Sequence, residues 1–536
     1  MGAWAEKIMG WETIDRKLKT TENRTKNLSN DNNLLNTDGN NDQIDRTNPE
    51  PEGSPLMSAD TSKSQQERTW SNPTFMGHRI LVFTSCFSIP SNFRKLRAVP
   101  PETETDCLNG MRVLTMVWII IGHTMLMPAA IAGYDNEGDL VATWGYRGTF
   151  VLQSILGAEV GVDTFFFLSG FLTFRLLPLL SKLASKTKSI VVTTVLASFK
   201  RYIRLTPSLV FVMLIYYKIL PFYGAGPFVV RFQNSVFRRC DKLWWTQLLY
   251  IQNFYPFDSD EVCMGWSWYL GNDMCFFLVS PIILIMYDKS KRIGWTILIA
   301  LFTTSTAITC YLIYHFDLGL YIYDKHFQDY AYWAYSKPYT RIGAYLVGLG
   351  AAFFYSENYY ALHRINHAYY KAASILAASL MAIIVFAVAF NFNVPNSWGL
   401  GVCMLYLGFA RQAWAFANAV ITISCAVGAL PWTNRFLSMH LWVPFARLCY
   451  GVYLIHPVVI KFVAANVTNY YHFSPADTLY RSIVNTLSSF CCATVIYLAF
   501  ERPIMTLESR LNNLEKKNSV KINSAHKERD DSKKIE

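Results

Sequence analysis

Charge is scarce in this 536-residue chain. Only 16% of its residues are Asp, Glu, Lys or Arg, where ordinary globular domains carry about 25%. A soluble surface of this size needs more, so a soluble enzyme and a secreted disulfide scaffold are both excluded. Also missing are an HExxH, a CxxC and any His/Cys cluster with metal-ligand spacing, so a zinc site has no support. The opening stretch MGAWAEKIMGWETIDRK has no apolar core and carries acids, which argues against a cleaved signal peptide. No internal repeat of fixed period appears, nor the paired Gly/Pro-broken segments of an inverted-repeat transporter. The excess of base over acid, 49 − 38 = +11, does not point to nucleic acid. The basic residues gather at the ends of apolar runs, where they set topology.

What is present is apolar. Hydrophobic residues reach 52% and aromatics 15%, and the mean hydropathy of +0.18 averages two regimes. Residues 1–106 are polar and Asn-rich, while 111–500 hold repeated runs of about 20 apolar residues, enough to cross a bilayer. The expected fold is therefore all-α, a polytopic membrane protein of about ten transmembrane helices. Four regions are expected: a disordered polar segment at 1–77, a juxtamembrane lead-in at 78–110, a membrane domain at 111–504 and a charged tail at 505–536. The spans are read at 111–132, 150–174, 205–222, 267–287, 294–314, 338–356, 372–391, 410–429, 443–464 and 481–500. The short apolar segment 244–257 reads as interfacial or re-entrant.

Loop charge orders these spans. Lys182, Lys186, Lys188, Lys200, Arg201 and Arg204 fall in the second connection, Lys289, Lys291 and Arg292 in the fourth, and Arg364 and Lys371 in the sixth. The positive-inside rule makes these connections cytoplasmic. The acidic first and fifth connections, with Asp135, Glu137, Asp139, Asp317, Asp324 and Asp329, then lie outside. Both termini are expected in the cytoplasm, in a membrane of the secretory pathway (endoplasmic reticulum or plasma membrane). Asn466-Val467-Thr468 is an external N-glycosylation acceptor in this arrangement. Arg231, Arg238, Arg239 and Lys242 run against the rule, in a long third connection where it weakens. Cys240 and Cys263 share that external connection, where an oxidising lumen permits a disulfide; two free thiols are the alternative.

Four places carry candidate chemistry. In the first span, His123 lies eleven residues beyond Arg112, which is about 16 Å deeper on nearly the same helix face. An ionisable group at mid-membrane is costly and points to function, such as a general base acting on a hydroxyl. An interhelical hydrogen bond is the plain alternative. In the second span Glu159 and Asp163 share a face, with Asp163 at a depth close to that of His123. This carboxylate could orient the imidazole, or else pair with an Arg. Ser169 lacks a nucleophile-elbow context and reads as close helix packing. Arg201 and Arg204 stand one turn apart at the cytoplasmic mouth of span three, suited to phosphates or to anionic lipid. Ser267, Trp268 and Asp273 enter span four as substrate-contact candidates, although an aromatic belt accounts for the rings as well. Asp273, Arg341, Arg411 and His456 read equally as halves of interhelical pairs.

The ordered set of motifs resembles the acyltransferase 3 family of integral membrane acyltransferases, within its nose-resistant-to-fluoxetine-like animal branch. The marks are Arg112-x10-His123, GVDTFFFLSGFL at 161–172, RYIRLTP at 201–207, WSWYLGNDMCFF at 266–277, RLCYGVYLIHPVV at 447–459 and Glu501-Arg502-Pro503. The resemblance covers roughly residues 78–505. It implies an acyltransferase moving groups other than aminoacyl groups, often acetyl, from a cytoplasmic donor. It also implies essential roles for Arg112 and His123, with Asp163 and the Arg201/Arg204 pair carried over by position. The branch has in addition a Cys-rich domain and a further span ahead of this core, features that residues 1–77 do not display.

The expected mechanism needs no bound cofactor. Acyl-CoA serves as co-substrate, a hydroxyl-bearing molecule as acceptor and the lipid bilayer as surroundings. No activated Ser or Cys calls for a covalent acyl-enzyme. A transporter of lipids or lipophilic small molecules, or a catalytically silent membrane scaffold, is the competing expectation.

Overall fold

The computed structural model describes residues 84–141, 149–257, 261–318, 327–389 and 398–509. It divides into two compact units, residues 1–5 with 89–536 and residues 6–88. Of the second unit only 84–88 are described, with a helical turn at 84–86. The expected disordered segment 1–77 thus lies outside the described residues, as does the tail from residue 510. All that follows concerns the larger unit.

Its main helices are α1 (Cys107–Ala129), α2 (Ala158–Thr173), α3 (Ile190–Leu214), α4 (Val229–Leu249), α5 (Trp268–Lys289), α6 (Lys291–Phe316), α7 (Pro338–Glu357), α8 (His367–Phe386), α9 (Leu400–Ala426), α10 (Trp442–Asn466) and α11 (Pro475–Ile496). No strand occurs among the described residues, only an isolated bridge between Tyr134 and Tyr471. Helix is what a bilayer demands, because each backbone N–H and C=O must find its partner within the segment. The starts are marked locally. Ser189, Asn366 and Ser474 accept from the backbone N–H groups of Val192, Ala368 and Asp477. Pro338 and Pro475 sit in first turns, where a missing N–H costs nothing.

Among the described residues nine helical stretches are long and apolar enough to cross a membrane. The remaining expected span, the sixth at 338–356, corresponds to α7, which is present but less apolar. Packed against α2, α6 and α9, it is buried over most of its length, so its composition need not match lipid. The directions of α1 and α10 indicate that α7 is also a crossing. Cys449 Sγ lies 3.9 Å from the Arg112 carbonyl, and seven residues further along α10 His456 meets His123. The two helices therefore run parallel. With α7 counted as a crossing, α10 is the ninth span and shares the direction of the first; without it, α10 would oppose α1.

Two boundaries differ from the sequence reading. The third span begins at Ile190 rather than 205, because Lys200, Arg201 and Arg204 continue the helix instead of preceding it. Segment 244–257 is not re-entrant as a unit, since 244–249 form the end of α4. A disulfide joins Cys240 of α4 to Cys263, just ahead of α5. The tightest crossing is α2 on α7. A Cβ on Gly170 would overlap the Tyr345 carbonyl, and one on Gly348 would overlap that of Phe167, so the two backbones touch where only glycine fits.

Candidate active site

Helix α1 presents Arg112, Met116, Ile119 and His123 along one stripe, as the 3.6-residue repeat requires. Helix α10 answers with Ala446, Cys449, Tyr450, Tyr453 and His456. Val162 and Phe165 of α2, Trp266, Trp268 and Tyr269 around the start of α5, and Tyr335 complete the wall of a cavity of about 760 Å³, counting the part continuous with solvent. The wall is mostly aromatic and is fixed in place. Tyr453 Oη donates to the Trp266 carbonyl at 2.9 Å, Trp266 Nε1 to the Leu454 carbonyl at 3.3 Å and Tyr450 Oη to the Leu205 carbonyl at 2.7 Å. Such a site suits an extended, largely apolar ligand with few polar anchor points.

The polar groups fall at two levels along α1. Arg112 is buried and lines the cavity near one end of the helix. Three turns on, His123 Nδ1 lies 2.8 Å from His456 Nε2, with the two ring planes 10° apart. His456 is fully buried, and its Nδ1 lies 2.8 Å from the Val452 carbonyl one turn back. Pro457 follows directly within the helix. Pro457 has no N–H to give the Tyr453 carbonyl one turn back.

The partner expected for His123 was Asp163, and the structure places that carboxylate elsewhere. Its Oδ2 accepts from Arg341 Nη1 at 3.0 Å and stands 3.9 Å from Arg411 Nε. Glu159 Oε1 accepts from Arg411 and Arg341 at 3.0 and 3.3 Å. Two arginines from α7 and α9 thus answer the two acids on one face of α2. Neither a hydrogen bond nor an ion pair joins Asp163 to His123 among the described residues. The Arg341 guanidinium also lies 5.0 Å from the Trp268 ring centre and 4.9 Å from that of Tyr335, behind the cavity wall. Asp163 therefore supports the site from behind and does not touch the imidazole.

Arg201 is likewise engaged. It donates to Asp273 Oδ2, while Ser169 Oγ donates to Asp273 Oδ1 at 2.6 Å. The guanidinium stacks 4.3 Å from the centre of the Phe277 ring. Asp273, fully buried, ties α2, α3 and α5 together and does not line the cavity. Ser169, read as packing alone, is part of this junction. Arg204 is half-buried, within electrostatic reach of Glu501, and also lies off the cavity. Ser267 donates to Gln247 Oε1, and its carbonyl accepts from Gln252 at 2.9 Å, so of the substrate-contact candidates only Trp268 reaches the cavity. The amide nitrogen of Asn466, the atom a glycan would occupy, donates to the Phe462 carbonyl at 2.8 Å. No group of three or more potential metal-ligating side chains occurs among the described residues. Sequence reasoning missed the phenols Tyr450 and Tyr453, and it read His456 as half of an interhelical pair without identifying His123 as the partner. The signal was a histidine next to proline inside an apolar helix, on the same stripe as those tyrosines.

Fold and cavity define a multi-pass membrane protein with an internal site between its first and ninth spans. A family model described as an acyltransferase domain, acyltransferase 3, matches residues 105–501, and the chain belongs to that family. It is similar to nose resistant to fluoxetine protein 6 of Caenorhabditis elegans, at 28% identity over 490 residues, which cover 85% of this chain and 57% of that protein. It is also similar to regulator of hypoxia-inducible factor 1 of the same organism, at 25% identity over 461 residues, covering 80% and 84% respectively. The chain thus spans little more than half the length of the first of these relatives. No solved structure matches it.

Proposed function

We propose that the protein is an integral membrane O-acyltransferase, moving an acetyl or longer acyl group from an acyl-CoA-type thioester to a hydroxyl acceptor, with His123 as general base. The observation that carries this reading is an aromatic-walled cavity that holds both Arg112 and His123, on one face of α1. Eleven residues of helix separate them by about 16 Å. That length lets a donor rest its anionic end at Arg112 while an extended thioester arm reaches His123. Arg112, which lines that cavity, is the proposed phosphate contact, whereas Arg201 and Arg204 lie outside it. The donor enters from the cytoplasm, both termini lie on that side, and the membrane belongs to the secretory pathway.

In the reaction His123 removes the acceptor hydroxyl proton as the oxygen attacks the thioester carbonyl. An ester C–O bond forms and the C–S bond breaks. The proton then passes from the imidazolium to the departing thiolate, leaving CoA and the acylated acceptor. The aromatic wall keeps bulk water from competing for the acyl group.

The test is purified full-length protein in nanodiscs with acetyl-, octanoyl- and palmitoyl-CoA and a panel of sugar, sterol and lipid hydroxyls. Free CoA appearing in step with acylated acceptor supports the reading. Passage of an intact lipophilic solute across proteoliposomes, with no thioester cleaved, would instead make the protein a transporter.

A further inference from the structure

We infer that His456 is a positioning residue that fixes the tautomer of His123, so that the lone pair and not the N–H of its Nε2 is offered to the cavity. The inference rests on the proposed role of His123 as general base.

The chain of donors is determined from its far end. A backbone carbonyl only accepts, so the 2.8 Å contact between His456 Nδ1 and Val452 O requires the proton on Nδ1. His456 is fully buried, and among the described residues no Asp or Glu is hydrogen-bonded or ion-paired to it. A cation there would be buried without an acid, so the ring is neutral and carries a single N–H. Its Nε2 is then a bare acceptor. His123 Nδ1, 2.8 Å away, must be the donor. A neutral His123 with its proton on Nδ1 has its lone pair on Nε2, the nitrogen left for the cavity its ring lines.

This order has a chemical consequence. In the familiar triad a carboxylate holds the Nδ1 proton of the catalytic histidine. Here that place is taken by a second imidazole, itself held by its own helix backbone one turn below. When His123 accepts the hydroxyl proton on Nε2, its Nδ1–H···Nε2 bond to His456 becomes charge-assisted and strengthens. The resting pair of imidazoles carries no net charge, in keeping with an intramembrane position. The reverse tautomer would leave His123 Nε2 as a donor, unable to take the proton.

Ring-nitrogen chemical shifts of protein labelled with ¹⁵N-histidine read the tautomer directly, with His123→Ala assigning the signal. The expected result is a protonated Nδ1 and bare Nε2 on His123 in the native protein, and a mixture of tautomers in His456→Ala. This arm needs no substrate. In turnover of octanoyl-CoA with octyl glucoside as acceptor, His456→Ala should lower kcat by about 100-fold while KM for octanoyl-CoA changes less than about threefold. His456→Gln, whose amide oxygen accepts from Nδ1, should recover at least about tenfold of that loss, which a purely structural role would not give. A native His123 protonated on Nε2, or an unchanged tautomer in His456→Ala, overturns the positioning role and leaves acyl transfer standing. Native turnover in His123→Ala overturns the base assignment, and the positioning role with it.

Discussion

Arg341→Met should destabilise the protein by about 3–5 kcal/mol, the cost of stranding one partner of a buried ion pair. Arg341 is 1% exposed and donates three times, to Tyr335 O at 2.7 Å, Asp163 Oδ2 at 3.0 Å and Glu159 Oε1 at 3.3 Å. The three bonds are unequal. The Glu159 side chain is 38% exposed, so its share is at most about 1 kcal/mol. Asp163 is fully buried, and after the substitution it would keep only Arg411 Nε at 3.9 Å. A neutral hydrogen bond between membrane helices averages about 0.6 kcal/mol, far too little for the expected loss. Adding Asp163→Asn removes the stranded charge, so the double variant should be more stable than the sum of the two single losses by about 2 kcal/mol or more. Reversible unfolding in mixed SDS micelles, followed by tryptophan fluorescence, measures all four corners of this cycle. A single loss below about 1 kcal/mol, or strictly additive losses, would refute the picture of a buried charge held by its partner.

Three further outcomes follow from the same geometry. Arg112→Ala should weaken binding of a non-hydrolysable octanoyl-CoA analogue at least about tenfold, or about 1.4 kcal/mol, by titration calorimetry on folded protein; an unchanged Kd would remove Arg112 from the donor site. Gly170→Ala and Gly348→Ala drive a methyl into a facing backbone carbonyl and should each cost about 1–3 kcal/mol. Gly401→Ala meets open space and should be neutral or better; equal effects at the three positions would dismiss the close crossing. Asp273→Asn should cost about 3 kcal/mol by stranding Arg201, with part of the loss returned by Arg201→Gln in the same chain, and no such return would deny the pair.

The membrane fold was legible because its evidence is local. Runs of about 20 apolar residues and the charges at their ends lie in single stretches of sequence. Arg112 and His123 were legible for the same reason, as one helix and its repeat put them on one stripe. The pairings were not. Asp163 meets Arg341 across 178 residues, His123 meets His456 across 333, and Ser169 meets Asp273 across 104. Such contacts depend on which helices are neighbours, and the helical repeat is silent on that. The late start assigned to span three has a related cause. Lys200, Arg201 and Arg204 lower its apparent apolarity, yet Arg201 enters the bundle because Asp273 of another helix receives it. Helix α7 shows the converse, since its lower apolarity reflects a setting among other helices rather than in lipid.

The central claim is that His123 carries acyl transfer inside the membrane. The most direct measurement compares the native protein with His123→Ala in nanodiscs, following CoA release and acylated product after equal folding and equal acyl-CoA binding have been established. The account predicts turnover in the native protein and a loss of at least about 100-fold in the variant with donor affinity unchanged. Equal turnover in the two proteins would contradict it.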